Sequence, residues 1–332
     1  MIEASYYEKS TSHPEVRCKL CPHDCRIEDG STGVCRVRKN VAGLLYAENY
    51  EEVVSVGFHR IEELGLFHFR PGCKIMAIGG AGGAVHWDYL AAGGRDASDA
   101  REPSRWISAK EVVDYAAGRR CEGIAFTHGE PFVWIEFVQE VARIAQSQGL
   151  VTLLVTDGYV NSSPLEEIIP LVSGVNLALQ TLDERLHRER SGARLEPILR
   201  AATRMVGRVH LEIRHTIVPG FNDRLDDLER LSRWVADNLG ARTPFHVCAF
   251  LPAPGSDLKP SPVQLQIDAY DAVRENLEFV YLDQVPHVNG NQTCCPDCGE
   301  VLVDRVGGVA NPIGVGATGR CVLCGLDGVF AY

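Results

Sequence analysis

The sequence of 332 residues has no surplus of positive charge and no long apolar run. Its 33 lysine and arginine residues are outnumbered by 44 aspartate and glutamate residues, so the formal net charge is −11 at pH 7. A surface that binds a phosphate backbone needs clustered basic side chains, and this balance argues against a nucleic-acid partner. No apolar run approaches the ~18 residues of a membrane-spanning helix, and no apolar segment follows a basic N-terminus. We therefore expect a soluble, cytoplasmic protein without a membrane partner.

The cysteines are not spread along the chain as a disulfide framework would be. Of the 12 cysteines, four lie between positions 18 and 35 and five between positions 294 and 324. Cysteine pairs separated by two residues, in a chain of this size without a leader, are typical of metal ligands rather than of disulfides. Cys73, Cys121 and Cys248 stand apart from both groups and are predicted to be buried apolar side chains.

The C-terminal cysteines have the spacing of two zinc knuckles, Cys295-Pro-Asp-Cys298-Gly and Cys321-Val-Leu-Cys324-Gly. Two intervening residues let both thiolates point at one ion, and the following glycine lets backbone amides turn toward the sulfurs. Four thiolates in a tetrahedron suit Zn²⁺ or a rubredoxin-like iron. Because a closed shell leaves no open position for a substrate, we predict a structural metal site, with Cys294 as a spare ligand.

The N-terminal cysteines have a less regular spacing. Two, three and nine residues separate Cys18, Cys21, Cys25 and Cys35, and His23 lies between two of them. We predict a metal site here as well and expect zinc. Four cysteines by themselves do not distinguish zinc from an iron–sulfur cluster, so iron stays open.

Strand and helix signals alternate between the two cysteine groups. Apolar, strand-like runs recur at 74–78, 123–126, 151–155, 174–179, 209–218, 245–250 and 278–282. Longer segments with helical periodicity separate them. One helix is predicted to begin at the capping box Ser108-Ala-Lys-Glu111, and another is amphipathic from Phe132 to Gln148. The alternation predicts an α/β fold with a parallel sheet, here a partial TIM-like β/α barrel.

Three units follow from this organisation. We predict an N-terminal metal-binding unit with four cysteines at 1–72, a β/α barrel at 73–288, and a zinc-ribbon or rubredoxin-like tail at 289–332.

Polar residues follow several of the predicted strands. Gly129-Glu130-Pro131 would expose a carboxylate at the mouth of a barrel, where such folds bind ligands. The helix macrodipole and the preference for proline in a first helical turn would explain the same residues without any function. Histidines also lie near predicted strand ends, at His86, His128, His215 and His246. Each alone is more often a hydrogen-bonded core or surface residue, but several facing one cavity could bind a metal and leave positions for a substrate.

Nine segments together carry a family resemblance. They are Val16 to Cys25, Gly33 to Arg38, His68 to Gly72, Gly129 to Pro131, Thr156 to Tyr159, Leu195 to Leu199, Ile217 to Asp223, Pro244 to Val247 and Thr293 to Gly299. Over nearly its whole length the chain resembles the radical S-adenosylmethionine (SAM) enzyme of the AmmeMemoRadiSam system. That family is similar to the activating enzymes of pyruvate formate-lyase.

The chain departs from this family where the chemistry is expected. Radical SAM enzymes hold a [4Fe–4S] cluster on three thiolates, spaced Cys-x3-Cys-x2-Cys, after a strand and a glycine-rich loop. Here Gly83, Trp87 and Leu90 stand at that spacing, and none of them can bind iron. The family's Asp-Leu-Lys on the fourth core strand is replaced by Ala178-Leu179-Gln180. The resemblance therefore implies a degenerate member without a radical cluster at the usual loop.

The resemblance also implies a ligand. Glu130 would bind the amino group of the methionine part of SAM, and Gly79, Gly80 and Gly82 would line the same pocket. We predict a SAM-dependent lyase or transferase that acts by polar chemistry on SAM or a small molecule, because a sulfonium is already activated for proton loss or attack. His128, His86 or His215 would supply the general base.

Two alternatives stay open. In the first, those histidines hold Zn²⁺ or Fe²⁺ in the former cluster cavity, as in a mononuclear metal enzyme. In the second, the protein is a non-catalytic partner that uses the barrel as a binding surface for another protein.

Overall fold

The computed structural model describes residues 1–11, 13–91, 104–252, 256–283, 290–316 and 319–332. Its strands are β1 Ile2–Glu3, β2 Tyr7–Lys9, β3 Val16–Cys18, β4 Arg26–Ile27, β5 Arg38–Val41, β6 Leu44–Ala47, β7 Glu52–Val53, β8 Ser55–Arg60, β9 Lys74–Gly79, β10 Arg105–Trp106, β11 Gly123–Phe126, β12 Val151–Thr156, β13 Gly174–Ala178, β14 His210–Ile217, β15 Phe245–Ala249, β16 Val280–Asp283, β17 Thr293–Cys294 and β18 Val301–Val303. Its α-helices are α1 Asp88–Ala91, α2 Ala109–Gly118, α3 Ile135–Ser147, α4 Ser162–Ile168, α5 Glu184–Ser191, α6 Glu196–Met205, α7 Leu225–Leu239 and α8 Val263–Arg274.

An eight-stranded sheet forms the centre of the molecule. Its strand order is β8-β9-β11-β12-β13-β14-β15-β16, so the sheet is open, with β8 and β16 at its edges. From β9 onward neighbouring strands run parallel, whereas β8 pairs antiparallel with β9. The seven strand runs expected from the sequence are confirmed, with ends that differ by at most two residues. Within the described ranges, no helix has the length and apolarity needed to cross a membrane.

The two faces of the sheet pack against different parts of the chain. Outward side chains such as Ile78, Phe126 and Leu154 join the helices in one large apolar cluster. Inward side chains such as Ala125 and Leu153 join a smaller cluster formed by the segment 61–73. That segment crosses the inner face, where Asn176 donates hydrogen bonds to the carbonyls of Leu64 and Gly65. The inner face is therefore closed toward the amino-terminal ends of the strands.

One cysteine-rich part of the chain precedes most strands of this sheet in the sequence, and the other follows them. The N-terminal part forms two three-stranded sheets, β1-β6-β5 and β2-β3-β4. Its last strand, β8, lies inside the predicted unit 1–72 but pairs with β9 of the central sheet along six residues. The tail contributes the hairpin of β17 and β18, and it packs Leu302 and Val303 against Phe67 and Tyr281. The antiparallel pairing of β8 shows that the sheet extends into the first predicted unit.

A buried carboxylate connects the inner segment to the sheet. Glu212 on β14 accepts hydrogen bonds from the amides of Phe67 (3.0 Å) and His68 (2.7 Å). It also contacts the rings of His210 (2.8 Å) and His246 (2.7 Å). Burial would raise the pKa of Glu212, but the contacts with His210 and His246 outweigh burial and hold this pKa well below its usual value. The charged form of Glu212 is thus part of the folded structure.

We predict that Glu212→Gln destabilises the protein by about 3–5 kcal/mol, because it removes a buried charge from several partners. Since the folded-state pKa of Glu212 is lowered, its contribution is present above the unfolded value of about 4.3 and is lost as the pH falls through the folded value. Urea unfolding at pH 7 and at successively lower pH would measure both effects. The exposed Glu275→Gln is the control, and equal unfolding free energies for the two variants would contradict the prediction.

Candidate functional site

Two loops interlock at the carboxyl ends of β9 and β11. Gly129 has a φ of 75°, and a Cβ placed there would lie 2.3 Å from the carbonyl oxygen of Gly80. Only glycine fits this contact. The next residue, Glu130, donates its amide hydrogen to the carbonyl of Gly82 at 3.0 Å. The glycine-rich loop therefore fixes the backbone from which the Glu130 side chain projects.

The Glu130 carboxylate lies between the ends of β11 and β12 and is 5% exposed. Its Oε1 accepts hydrogen bonds from the amide of Phe132 (3.0 Å) and from the hydroxyl of Thr156 (2.6 Å). Its Oε2 accepts one from the amide of Asp157 (3.0 Å). This is the end of a parallel sheet at which α/β proteins bind ligands.

Asp157 places a second carboxyl group beside Glu130. Burial and the charge of Glu130 together raise the pKa of Asp157 to about 8, and the nearby Trp87 indole opposes the change. Burial also raises the pKa of Glu130, while its three hydrogen bonds oppose this. Two acidic groups in a poorly solvated place favour a positively charged ligand, which would relieve their repulsion.

Aromatic rings occupy the positions next to this pair. Trp87 is 5% exposed and packs on His187 and Phe221, with ring centroids 4.8 and 5.6 Å away. Tyr89 packs on Phe221 at 5.4 Å. The Trp87 indole N–H approaches Asp157 without forming a hydrogen bond of normal geometry. This N–H is therefore a buried donor that faces the acidic pair.

Arg214 adds a positive group to the same region. Burial raises the pKa of the Tyr89 hydroxyl, the charge of Asp157 raises it further, and the charge of Arg214 lowers it. The charges of Asp157 and Arg214 therefore both act on the hydroxyl of Tyr89. Sequence reasoning did not select Asp157, Tyr89 or Arg214 as site residues. The alternation of β14 could have identified Arg214, because it shares a face with the inward Glu212.

The predicted histidines do not gather around Glu130. His128 is exposed, and its ring contacts the Thr127 hydroxyl at 3.2 Å. His215 is fully buried, with Nδ1 2.9 Å from the carbonyl of Leu179, and burial lowers its pKa to about 4. Because His215 alternates with Arg214 along β14, it lies on the outer face of the sheet, where it stacks on Phe245.

The other two histidines lie elsewhere. His86 is half-buried, and its amide donates to the carbonyl of Ser191 at 3.1 Å. His246 contacts Glu212 inside the fold. Among the residues that the structure describes, the one group of three or more side chains able to share a metal is in the tail. The expectation of a histidine metal site in the former cluster cavity is therefore not supported by this geometry.

The C-terminal cysteines form the expected group. The sulfurs of Cys295, Cys298, Cys321 and Cys324 all lie within 4.8 Å of one another. Cys295 and Cys324 are 3.5 Å apart, and Cys298 and Cys321 are 3.6 Å apart. A tetrahedral zinc with bonds of about 2.3 Å would place its sulfurs about 3.8 Å apart, so the group can hold one ion.

The N-terminal cysteines are arranged differently. Cys18, Cys21 and Cys35 are buried and Cys25 is half-buried, but no three of these four sulfurs lie within 4.8 Å of one another. The expected single zinc ion needs a tighter group, so the zinc prediction is not supported at this site. The three separate cysteines, Cys73, Cys121 and Cys248, are buried as predicted.

Two described cavities, of about 490 and 470 Å³, lie at the opposite ends of the strands from Glu130. Both are lined by Gly207, Val209 and His210, near the start of β14. Ligands of open α/β sheets bind at the carboxyl ends of the strands. We therefore place the candidate site at Glu130 and Asp157.

Comparison with known proteins places the chain in a family. The model of the radical SAM superfamily matches residues 84–235. The uncharacterized protein MJ0808 of Methanocaldococcus jannaschii is 33% identical over 333 residues, which cover 98% of each chain. The chain belongs to the radical SAM superfamily.

More distant relatives match only part of this chain. The pyruvate formate-lyase 1-activating enzyme of Escherichia coli (strain K12) is 28% identical over 133 residues, 39% of this chain and 54% of that enzyme. The isethionate sulfite-lyase activating enzyme of Oleidesulfovibrio alaskensis is 29% identical over 39% of this chain and 42% of that enzyme. These matches show weak homology to activating enzymes, and the assignment to the AmmeMemoRadiSam system stays a prediction.

A solved structure shares the fold. The radical SAM methyltransferase from Sphaerobacter thermophilus superposes with a TM-score of 0.51 at 18% identity, over 67% of this chain and 70% of that one. At this identity the similarity concerns the fold alone.

We predict that Asp157 titrates near pH 8 and that Glu130→Gln lowers this pKa, because it removes the neighbouring charge. A carboxyl with a raised folded-state pKa contributes stability below its unfolded value of about 3.9, and this is lost as the pH rises through about 8. The melting temperature should therefore fall as the pH rises from about 5 to about 8 and level off above that, and it should fall less in Asp157→Asn. The exposed Asp237→Asn is the control. A carboxyl carbon signal that titrates near pH 4 would contradict the prediction.

We predict that Cys298→Ser releases the tail metal and unfolds the tail, because metal-binding free energy is folding free energy in such small modules. Metal content per chain and protease sensitivity of the tail would measure this. Cys294→Ser is the matched control, since Cys294 is exposed and lies outside the group of four. Unchanged metal content in Cys298→Ser would show that the assignment is wrong.

Proposed function

We propose that this superfamily member is a SAM-binding enzyme that works by polar rather than radical chemistry. The observation that carries the proposal is the carboxyl pair of Glu130 and Asp157 at the carboxyl ends of β11 and β12. The methionine part of SAM has an ammonium group and SAM has a sulfonium, and both are cations. The pair would accept the ammonium group, in agreement with the role that the resemblance implies for Glu130.

The surroundings of the pair also suit a cation. Trp87 and Tyr89 present aromatic rings next to Asp157, and ring faces attract cations in desolvated sites. A side chain at Gly79 or Gly80 would collide with His128 or Trp134, so the loop packs as bare backbone. Gly79, Gly80 and Gly82 stay the lining of the pocket that the family resemblance implies.

The absent thiolates support polar chemistry. The chain has Gly83, Trp87 and Leu90 at the three cysteine positions, and Trp87 is packed among aromatic rings. When bound, SAM supplies a sulfonium that activates the adjacent carbon without any reductant. Asp157, whose pKa of about 8 lies near neutrality, suits the task of holding or accepting a proton better than the exposed His128 or the outward His215. We therefore move the proposed general base from the histidines to Asp157.

The experiment that tests the proposal is isothermal titration of SAM into the wild-type protein and its variants. Glu130→Gln keeps the shape of the side chain and removes its charge. A charge-assisted contact is worth about 1.5–3 kcal/mol, so the affinity should fall roughly ten- to hundredfold. At pH 9, where Asp157 is ionised, Asp157→Asn should weaken binding in the same direction, whereas Asp237→Asn should leave it unchanged. Binding of SAM that is equally tight in all four proteins, or absent in the wild type, would refute the proposal.

A second measurement tests the chemistry. After anaerobic reconstitution with iron and sulfide and reduction with dithionite, we expect no 5′-deoxyadenosine from SAM. A radical SAM enzyme treated in the same way is the positive control. Catalytic formation of 5′-deoxyadenosine would show that radical chemistry persists, whatever the affinity for SAM.

A further inference from the structure

We infer that Cys18, Cys21, Cys25 and Cys35 hold a [4Fe–4S] cluster rather than a zinc ion, and that this cluster lies against the glycine-rich loop of the central sheet. The inference concerns a different part of the chain from the proposed SAM site and does not rest on it.

The distances between the sulfurs distinguish the two cysteine groups. In the tail, all four sulfurs lie within 4.8 Å of one another, as one tetrahedral ion requires. In the N-terminal group no three sulfurs meet that condition. A cube of four irons is wider than a single ion and holds its four thiolates further apart. The tail thus serves as an internal reference for a single-ion site, and the N-terminal group is wider.

The environment of the N-terminal sulfurs suits a cluster. Backbone amides of Leu20 and His23 lie near the sulfurs of Cys18 and Cys21. Two further amides, those of Val37 and Arg38, lie near the sulfur of Cys35. Amide hydrogen bonds to cluster sulfurs and exclusion of solvent are the means by which proteins hold and tune iron–sulfur clusters. Such amide donors stabilise negatively charged thiolates, and they stabilise neutral thiols less.

A buried cation lies next to the same sulfurs. The Arg38 side chain is 1% exposed and forms an ion pair with Glu136 on α3 at 2.7 Å. Its charge acts on both Cys18 and Cys35. Among the described residues, its Nε–H has no hydrogen-bond partner. A buried guanidinium needs negative charge around it, and four thiolates on a cluster provide more than Glu136 alone.

The group packs directly on the loop of the central sheet. A Cβ at Gly82 would lie 2.7 Å from Val37 and 2.9 Å from the carbonyl of Cys35. The His23 ring lies 2.6 Å from the carbonyl of Ala84. The cluster would therefore adjoin the loop that carries the thiolates in radical SAM enzymes. With a cysteine on each iron it would have no open iron at which SAM could be chelated.

Acid-labile sulfide tests the inference, because neither zinc nor a rubredoxin-like iron in the tail contains it. The full chain would be reconstituted anaerobically with iron and sulfide, desalted, and assayed for iron, zinc and labile sulfide, with electron paramagnetic resonance after reduction. We expect about four sulfides per chain. Cys25→Ala and Cys21→Ala/Cys25→Ala should lose at least half of the sulfide. Cys298→Ala, which disrupts the tail site, and Cys248→Ala, a buried cysteine outside both groups, should retain it.

Three results would overturn the inference. The first is a wild-type chain without labile sulfide. The second is one equivalent of zinc that survives in Cys298→Ala and disappears in Cys25→Ala. The third is sulfide that persists in the Cys21→Ala/Cys25→Ala variant, which would indicate adventitious iron sulfide. If that variant does not fold by circular dichroism, retention of sulfide in both Cys298→Ala and Cys248→Ala supports the N-terminal assignment, and its loss in Cys298→Ala contradicts it.

Discussion

The contact between Gly129 and the carbonyl of Gly80 determines the arrangement of the carboxyl end of the sheet. A side chain at Gly129 would lie 2.3 Å from that oxygen, so the two loops can approach only as bare backbone. The approach brings the amide of Glu130 to the carbonyl of Gly82 and turns the carboxylate inward. On its other side, Gly82 touches the N-terminal unit at Val37 and Cys35. One close backbone contact therefore positions both the acidic pair and the N-terminal cysteines.

Much of the fold could be predicted because its signals are local. The capping box at Ser108 begins α2, since the Ser108 hydroxyl and the Glu111 side chain satisfy each other's backbone amides. The amphipathic segment from Phe132 is observed as a 3-10 turn, Pro131–Trp134, followed by α3. The pairing of β8 with β9 could not be predicted in this way, because antiparallel pairing across the segment 61–73 depends on tertiary contacts. For the same reason, the sequence could not show that β8 is an edge strand of the central sheet.

The candidate site could also be predicted only in part from the sequence. Glu130 follows a strand and carries a family resemblance, so its place at the strand end was visible in the sequence. Asp157 was not selected, because its raised pKa results from burial and from Glu130, which is distant in the chain. The histidine prediction assumed that strand ends alone bring side chains together. Side chains along β14 alternate between the two faces of the sheet. Arg214 faces inward and His215 faces outward.

Aromatic packing around Trp87 stabilises the loop that follows β9. The buried indole removes a large apolar surface from water and packs edge-on against His187 and Phe221. A Cβ placed at Gly83 would have no neighbour closer than 3.8 Å, so the backbone there is not crowded. The loop beside the acidic pair is thus held by apolar packing and by its contact with the N-terminal unit.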